Sequence, residues 1–213
     1  VATWAAIVFV VLAVYAPIDF LTFKAVGPLR FESYAAFLNC VMCAYSVYVA
    51  CKCPHKSHLP PDEYCLGPRP KYQSVLWFLR YVSVCVAITA LTWYVVQREP
   101  IDPGHMGLVG LNLALSLTVF LLAGGAYLFE HSVWPVGLTL LYVCILGIAD
   151  AVTGVDTYAS VPWTTDLPKA VANATGLVAL SFASTALVCL YSRLAVANPC
   201  GKSRHPMTAN PKR

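Results

Sequence analysis

Charge is missing from this chain over stretches as long as a bilayer is thick. The hydrocarbon core of a membrane is about 30 Å across, and an α-helix needs about 20 mostly apolar residues to cross it. Six stretches meet or approach that length: 1 to about 18, about 34–50, about 75–96, 106–129, 133 to about 155, and about 170–192. None alternates apolar and polar residues with a period of two, which argues against a transmembrane β-barrel. Of the 213 residues only 11% are charged and 59% are hydrophobic, whereas a soluble domain carries about 25% charged residues. A surface with so little charge excludes a secreted domain, a nucleic-acid binder and an ordinary cytosolic enzyme. The spread of prolines and glycines along the chain excludes disorder and collagen-like repeats. The expected fold class is therefore all-α: a polytopic integral membrane protein, a six-transmembrane-helix bundle over residues 1–192 with a basic tail over 193–213.

Residue 1 is valine. The first apolar stretch exceeds the ~7–15 residues of a signal-peptide core, so it is expected to be a helix of the bundle. Six spans would put both termini and the second and fourth loops on one side. That side holds Lys52, Lys56, Arg69, Lys71, Arg80, Arg193, Lys202, Arg204, Lys212 and Arg213, with Asp62, Glu63 and Glu130 as its acids. The other side holds Lys24, Arg30, Arg98 and Lys169 against Asp19, Glu32, Glu99, Asp102, Asp150, Asp156 and Asp166. The two sides thus carry +7 and −3, which together make the formal +4. Lysine and arginine accumulate on the cytoplasmic side of membrane proteins, so both termini are expected to face the cytoplasm, or the matrix or stroma of an organelle.

Several polar residues invite a chemical reading. Cys51, Cys53, His55, His58 and Cys65 on the tail side are soft ligands that could hold zinc, although their spacing is irregular, and cysteines beside a membrane are also targets of acylation. Cys40 and Cys43 share a helix face among apolar neighbours and read as packing residues. No histidine or lysine lies mid-span, so neither a haem held between helices nor a retinal Schiff base is expected, and GxSxG, HExxH and phosphate-cradling loops are absent. Arg80 lies near enough to the tail side for its head to reach the interface. Asp150 should cap the bundle or meet a basic group, and Asn112 should make an interhelical hydrogen bond. Asn173-Ala174-Thr175 matches a glycosylation sequon, but it sits at the membrane boundary, where no glycan is expected. Ala172, Gly176, Ala179, Ala183 and Ala186 form a small-residue stripe expected to pack closely on another helix.

From about Phe31 to Leu194 the chain resembles the androgen-induced-protein and rolling-stone family of six-helix membrane proteins. The similarity lies in the run from Leu128 through Glu130-His131, Trp134-Pro135 and Gly137-Leu138 to Tyr142, then Thr153-Gly154, Tyr158 and Val161-Pro162-Trp163. Val86-Ala87-Ile88-Thr89 with Trp93-Tyr94, and Tyr191-Ser192-Arg193-Leu194, look like that family's third helix and its exit from the sixth. The resemblance implies a six-helix bundle of the kind that cleaves fatty acid esters of hydroxy fatty acids, with a threonine nucleophile on the second helix and a histidine on the fourth. Here Ala36 stands at the threonine position and Asn112, or Leu113 with a shift of one, at the histidine position. Alanine cannot attack an ester and asparagine cannot take the proton, so the resemblance implies a hydrolase without its chemistry.

The expected function is therefore a non-catalytic scaffold or accessory subunit of a membrane assembly. Lipid or protein partners would be met through Lys52, Lys56, Lys71, Arg80 and the stripe at Gly176, Ala179 and Ala183. A bound phospholipid is expected, and no other cofactor. The competing enzymatic reading moves the nucleophile to Thr22, Ser33 or another hydroxyl, with His131 or His105 as base. A channel or transporter would want a broken helix with charge at the midplane, and Gly124-Gly125 is a break without one.

Overall fold

The computed structural model describes residues 30–52, 71–97, 103–123, 127 and 129–197. Among them the chain forms five α-helices and no strand: α1 (Phe31–Lys52), α2 (Lys71–Val96), α3 (Pro103–Ala123), α4 (Val133–Thr153) and α5 (Leu167–Ala197). A 3-10 turn, Phe129–Ser132, leads into α4. These helices fall on the second to sixth of the expected spans; the first span, 1–18, lies outside the described residues. The protein is an all-helical integral membrane protein. Three of its helical segments, Ser74–Val96, Phe129–Thr153 and Leu167–Leu194, are long and apolar enough to cross a bilayer, and α3 carries a shorter apolar stretch, Val109–Leu121.

The helix ends follow from local chemistry. Pro103 opens α3, where its missing N–H costs nothing. Asp166 caps α5 by accepting the Lys169 N–H at 3.1 Å, and Pro168 fits the first turn. Gly154 stops α4 in the left-handed conformation at φ 68°, its N–H bonded to the Asp150 carbonyl. Of the expected fourth span, α3 covers the part to Ala123, and Phe129 opens the 3-10 turn.

Successive helices run in alternate directions. The start of α1, the ends of α2 and α4 and the start of α5 meet in one apolar cluster that includes Phe31, Ala35, Trp93, Tyr142, Leu146, Tyr158, Ala170 and Ala174. The opposite, tail end gathers Tyr81, Phe120, Tyr127, Val188 and Cys189. Hydroxyls along the helices are mostly bonded within their own helix. Ser46, Thr89, Thr92, Thr118, Thr139, Thr175 and Thr185 each donate to the carbonyl four residues back at 2.7–2.9 Å, which spares each of them an unsatisfied donor in hydrocarbon.

The rotation of α5 differs from the expected one. Ala179 and Ala183 are exposed, and a Cβ built on Gly176 would meet nothing within 4 Å. The buried face is instead Ala170, Ala174, Leu177, Ser181, Ser184, Thr185, Val188, Cys189 and Ser192. Both stripes repeat at intervals of three and four, so spacing alone does not choose between them. The hydroxyls do, because the Thr139 and Ser181 hydroxyl oxygens pair at 2.9 Å and the Tyr127 N–H donates to Ser192 at 2.8 Å, turning that face inward.

Two substitutions test this description by thermal unfolding in detergent. Gly154→Val, which forces a β-branched side chain into a left-handed position, should cost about 1–2 kcal/mol. Gly176→Ala should hold or raise the midpoint, since alanine gains about 0.8–1 kcal/mol of helix propensity over glycine and the added methyl meets open space.

Candidate functional site

Polar side chains concentrate in three places. The first is the contact of α1 with α3. Glu32, Ala36, Asn39, Cys43 and Ser46 recur on α1 at intervals of four and three, and all five are buried. Asn39 Nδ2 donates to Asn112 Oδ1 at 2.8 Å and to the Asn112 carbonyl at 3.3 Å. Cys43 Sγ lies 3.8 Å from Asn39 Oδ1, and Ser83 of α2 donates to the Leu38 carbonyl at 3.3 Å. The interhelical bond expected of Asn112 is thus made, and Asn39 is its partner. Ala36 lies one turn from Asn39, so the positions implied for nucleophile and base fall at one interface. Those positions and Asn39 supply a methyl group and two amides, and amides neither attack esters nor accept protons near neutral pH. Ser116, one turn beyond Asn112, is buried with its hydroxyl unpartnered among the described residues.

The second place is the end away from the tail. Tyr158, in the turn between α4 and α5, donates its hydroxyl to Glu32 Oε2 at 2.9 Å and accepts the Phe31 N–H at 2.6 Å. That satisfies one of the free N–H groups at the start of α1. Its neighbour Thr157 donates to Asp150 Oδ1 at 2.6 Å. Glu32 and Asp150 are both buried, and Asp150 Oδ2 has no partner among the described residues. Of the two expectations for Asp150, capping the bundle or meeting a basic group, the second is not met among the described residues, where Asp150 binds a threonine of the adjoining turn. Arg30 lies over the Tyr158 ring at 5.3 Å. Burial first, then the Glu32 carboxylate and Tyr142, hold the Tyr158 phenol well above its ordinary value of 10.0, against the Phe31 N–H, which pulls it down. The Trp163 indole lies on α4 at Gly147, where an added Cβ would come within 3.4 Å of the ring. The side-chain amide of Asn173 donates to the Ser160 carbonyl, so the sequon nitrogen already holds this turn.

The third place is the tail end. Tyr127 stacks on Trp77 and on Tyr81, each at 4.9 Å, and on Phe120 at 5.3 Å. His131 meets the Trp77 ring at 4.7 Å, and its Nδ1 is buried without a partner among the described residues. Arg80, one turn beyond Trp77, is half-buried, and its Nε is enclosed without a partner among the described residues.

The remaining expected residues divide by position. Lys52 closes α1 and Lys71 opens α2, whereas Thr22, Lys56, Cys53, His55, His58 and Cys65 lie outside the described residues. Of the zinc candidates only Cys51 is described, exposed and with a free thiol, and no group of three or more ligand residues forms among the described residues. Ser33 lies in the first turn of α1, at the end away from the tail, and His131 lies at the tail end. From Trp93 to Trp77, which mark those two ends, α2 rises about 24 Å at 1.5 Å per residue. That distance excludes a hydrogen bond between Ser33 and His131. Glu32, Asn39 and Tyr158 were not singled out by sequence as site residues, although the three-four stripe on α1 contains two of them.

No protein-family model, curated protein sequence or solved structure matches this chain.

Two experiments probe these contacts. Asn39→Leu or Asn112→Leu alone leaves a buried amide unpaired and should cost about 1–3 kcal/mol. The double variant should cost less than the sum, by a coupling of about 0.6–1.7 kcal/mol in a double-mutant cycle. Because the folded-state value of Tyr158 is raised, its contribution to stability is fully present below pH 10.0 and is lost as the pH rises through the folded-state value. Unfolding midpoints should therefore hold up to pH 10.0 and fall above it, and Tyr158→Phe should be less stable at neutral pH but flatten the alkaline fall.

Proposed function

We propose that this chain is a non-catalytic multi-pass membrane protein that serves as a structural or accessory subunit of a larger membrane assembly. In this reading it is a six-helix bundle with both termini on the cytoplasmic, matrix or stromal side, and it derives from a hydrolase of fatty acid esters that has lost its nucleophile and base. The observation that carries the proposal is the Asn39–Asn112 pair beside Ala36. Where a nucleophile and its base would have to meet, two amides hydrogen-bond each other and leave no group able to activate a hydroxyl. Such a pair joins helices, and a protein whose central polar contact is a fastening is suited to holding shape.

The outer faces support the same reading. Leu140, Leu141, Ile145, Ile148 and Val152 of α4, and Phe182, Leu187, Leu190 and Leu194 of α5, are exposed large apolar side chains. In water a surface of this kind would mark an association site or a liability. In a bilayer it meets lipid tails or the helices of neighbouring subunits.

Purification of the tagged protein from its native membrane in mild detergent, followed by size analysis and mass spectrometry, should give stoichiometric partner proteins. A protein that runs alone overturns the subunit reading. A fluorophosphonate probe should leave the chain unlabelled, and labelling that requires the folded protein would restore the hydrolase.

A further inference from the structure

Arg80 is a cation in hydrocarbon without a counter-ion among the described residues. It lies six residues beyond Ser74, where the membrane-crossing part of α2 begins, which places it about 9 Å inside that span at 1.5 Å per residue. Its Nε is enclosed and lacks an acceptor, and no acid pairs with it among the described residues. The groups nearest to it electrostatically are the Tyr127 phenol and the Cys43 thiol, neither of which carries a formal charge near neutral pH. Glu130, the acid of that end among the described residues, is exposed. A buried cation left without an anion costs several kcal/mol, and an anion at the headgroup boundary would offset the cost of removing Arg80 from water at this depth.

We infer that Arg80 binds the phosphate of an anionic phospholipid whose headgroup enters the bundle at the tail end, beside Cys43 of α1 and Tyr127. Arg80 is half-buried, and its guanidinium sits within side-chain length of headgroup depth. Its planar fork of N–H donors matches two phosphate oxygens at once, which an ammonium cannot do. The stacked rings of Trp77, Tyr127 and Tyr81 give the site a rigid wall, and aromatic residues favour the boundary between headgroup and hydrocarbon. This inference deepens the membrane reading by naming a lipid class and a binding residue. It rests on residence in a membrane and not on protein partners, so the two can fail separately.

The test is native mass spectrometry of the full chain released from nanodiscs made of equal parts phosphatidylcholine and phosphatidylglycerol. The wild type should retain phosphatidylglycerol over phosphatidylcholine, Arg80→Gln should reduce that retention about tenfold, a charge-assisted hydrogen bond being worth about 1.5–3 kcal/mol, and Arg80→Lys should keep part of it. Cys43→Asp, which supplies a carboxylate beside the guanidinium, should release the lipid while leaving the protein folded, so the inference stays testable if Arg80→Gln does not fold. Lys169→Gln, at the other end, should change nothing. Equal retention of both lipids by the wild type, or unchanged retention in a folded Arg80→Gln or Cys43→Asp variant, would overturn the inference. Preferential capture of added oleate or inorganic phosphate over phosphatidylglycerol would overturn it in favour of a different anion.

Discussion

The hydroxyl of Tyr158 stands between two parts of the chain that are far apart in sequence. It accepts the N–H that opens α1 and donates to the carboxylate of Glu32 one residue on, while the residue before it ties Asp150 at the foot of α4. In a solvent without hydrogen-bonding groups, a free N–H and two carboxyl groups near a helix end must find protein partners. One turn of backbone supplies them for α1 and α4 together. Once that turn is in place, the positions of Phe31, Tyr142 and Trp163 follow, since the rings pack around it and Phe31 meets Tyr142 edge-on at 4.9 Å.

The tail end is closed by different means. There the contacts are faces of rings, with Tyr127 as the shared member and its backbone N–H held by Ser192. Stacked aromatic pairs are each worth about 0.5–1.5 kcal/mol beyond their area and ask less of geometry than a hydrogen bond to a carboxylate. One end of the molecule is therefore fixed by buried polar bonds and the other by broad apolar contact, with the Asn39–Asn112 bond between them.

Hydropathy located the helices α1, α2, α4 and α5 to within a few residues, because span length is a property of composition. Their rotation was much less legible. Two stripes with the same three-four spacing compete on α5, and the one made of alanine and glycine lies outside because the serines and cysteine of the other find partners on Tyr127, Tyr81 and Thr139. Glu32 was assigned to a loop because it precedes the apolar run. Yet it begins the stripe Glu32, Ala36, Asn39, Cys43 and Ser46, and a period count started one turn earlier would have found it. Tyr158 carries no such signal. Its role depends on a contact 126 residues away in sequence, and nothing local to Thr157-Tyr158 announces two buried acids.

The hydroxyls bonded back within their own helices bear on how the molecule is made. A threonine such as Thr89, Thr92 or Thr185, which already donates to the carbonyl four residues earlier, needs nothing from a neighbouring helix. Each helix can therefore leave the insertion machinery and rest in lipid as a finished unit before it meets the next. Assembly is then a search over rotations among helices that are already stable, and it ends when a small number of distinctive groups find one another. For biogenesis this separates two kinds of fault: a lesion in an apolar run would block insertion of one segment, whereas a lesion at Asn39, Ser181 or Tyr158 would yield helices that insert and fail to assemble.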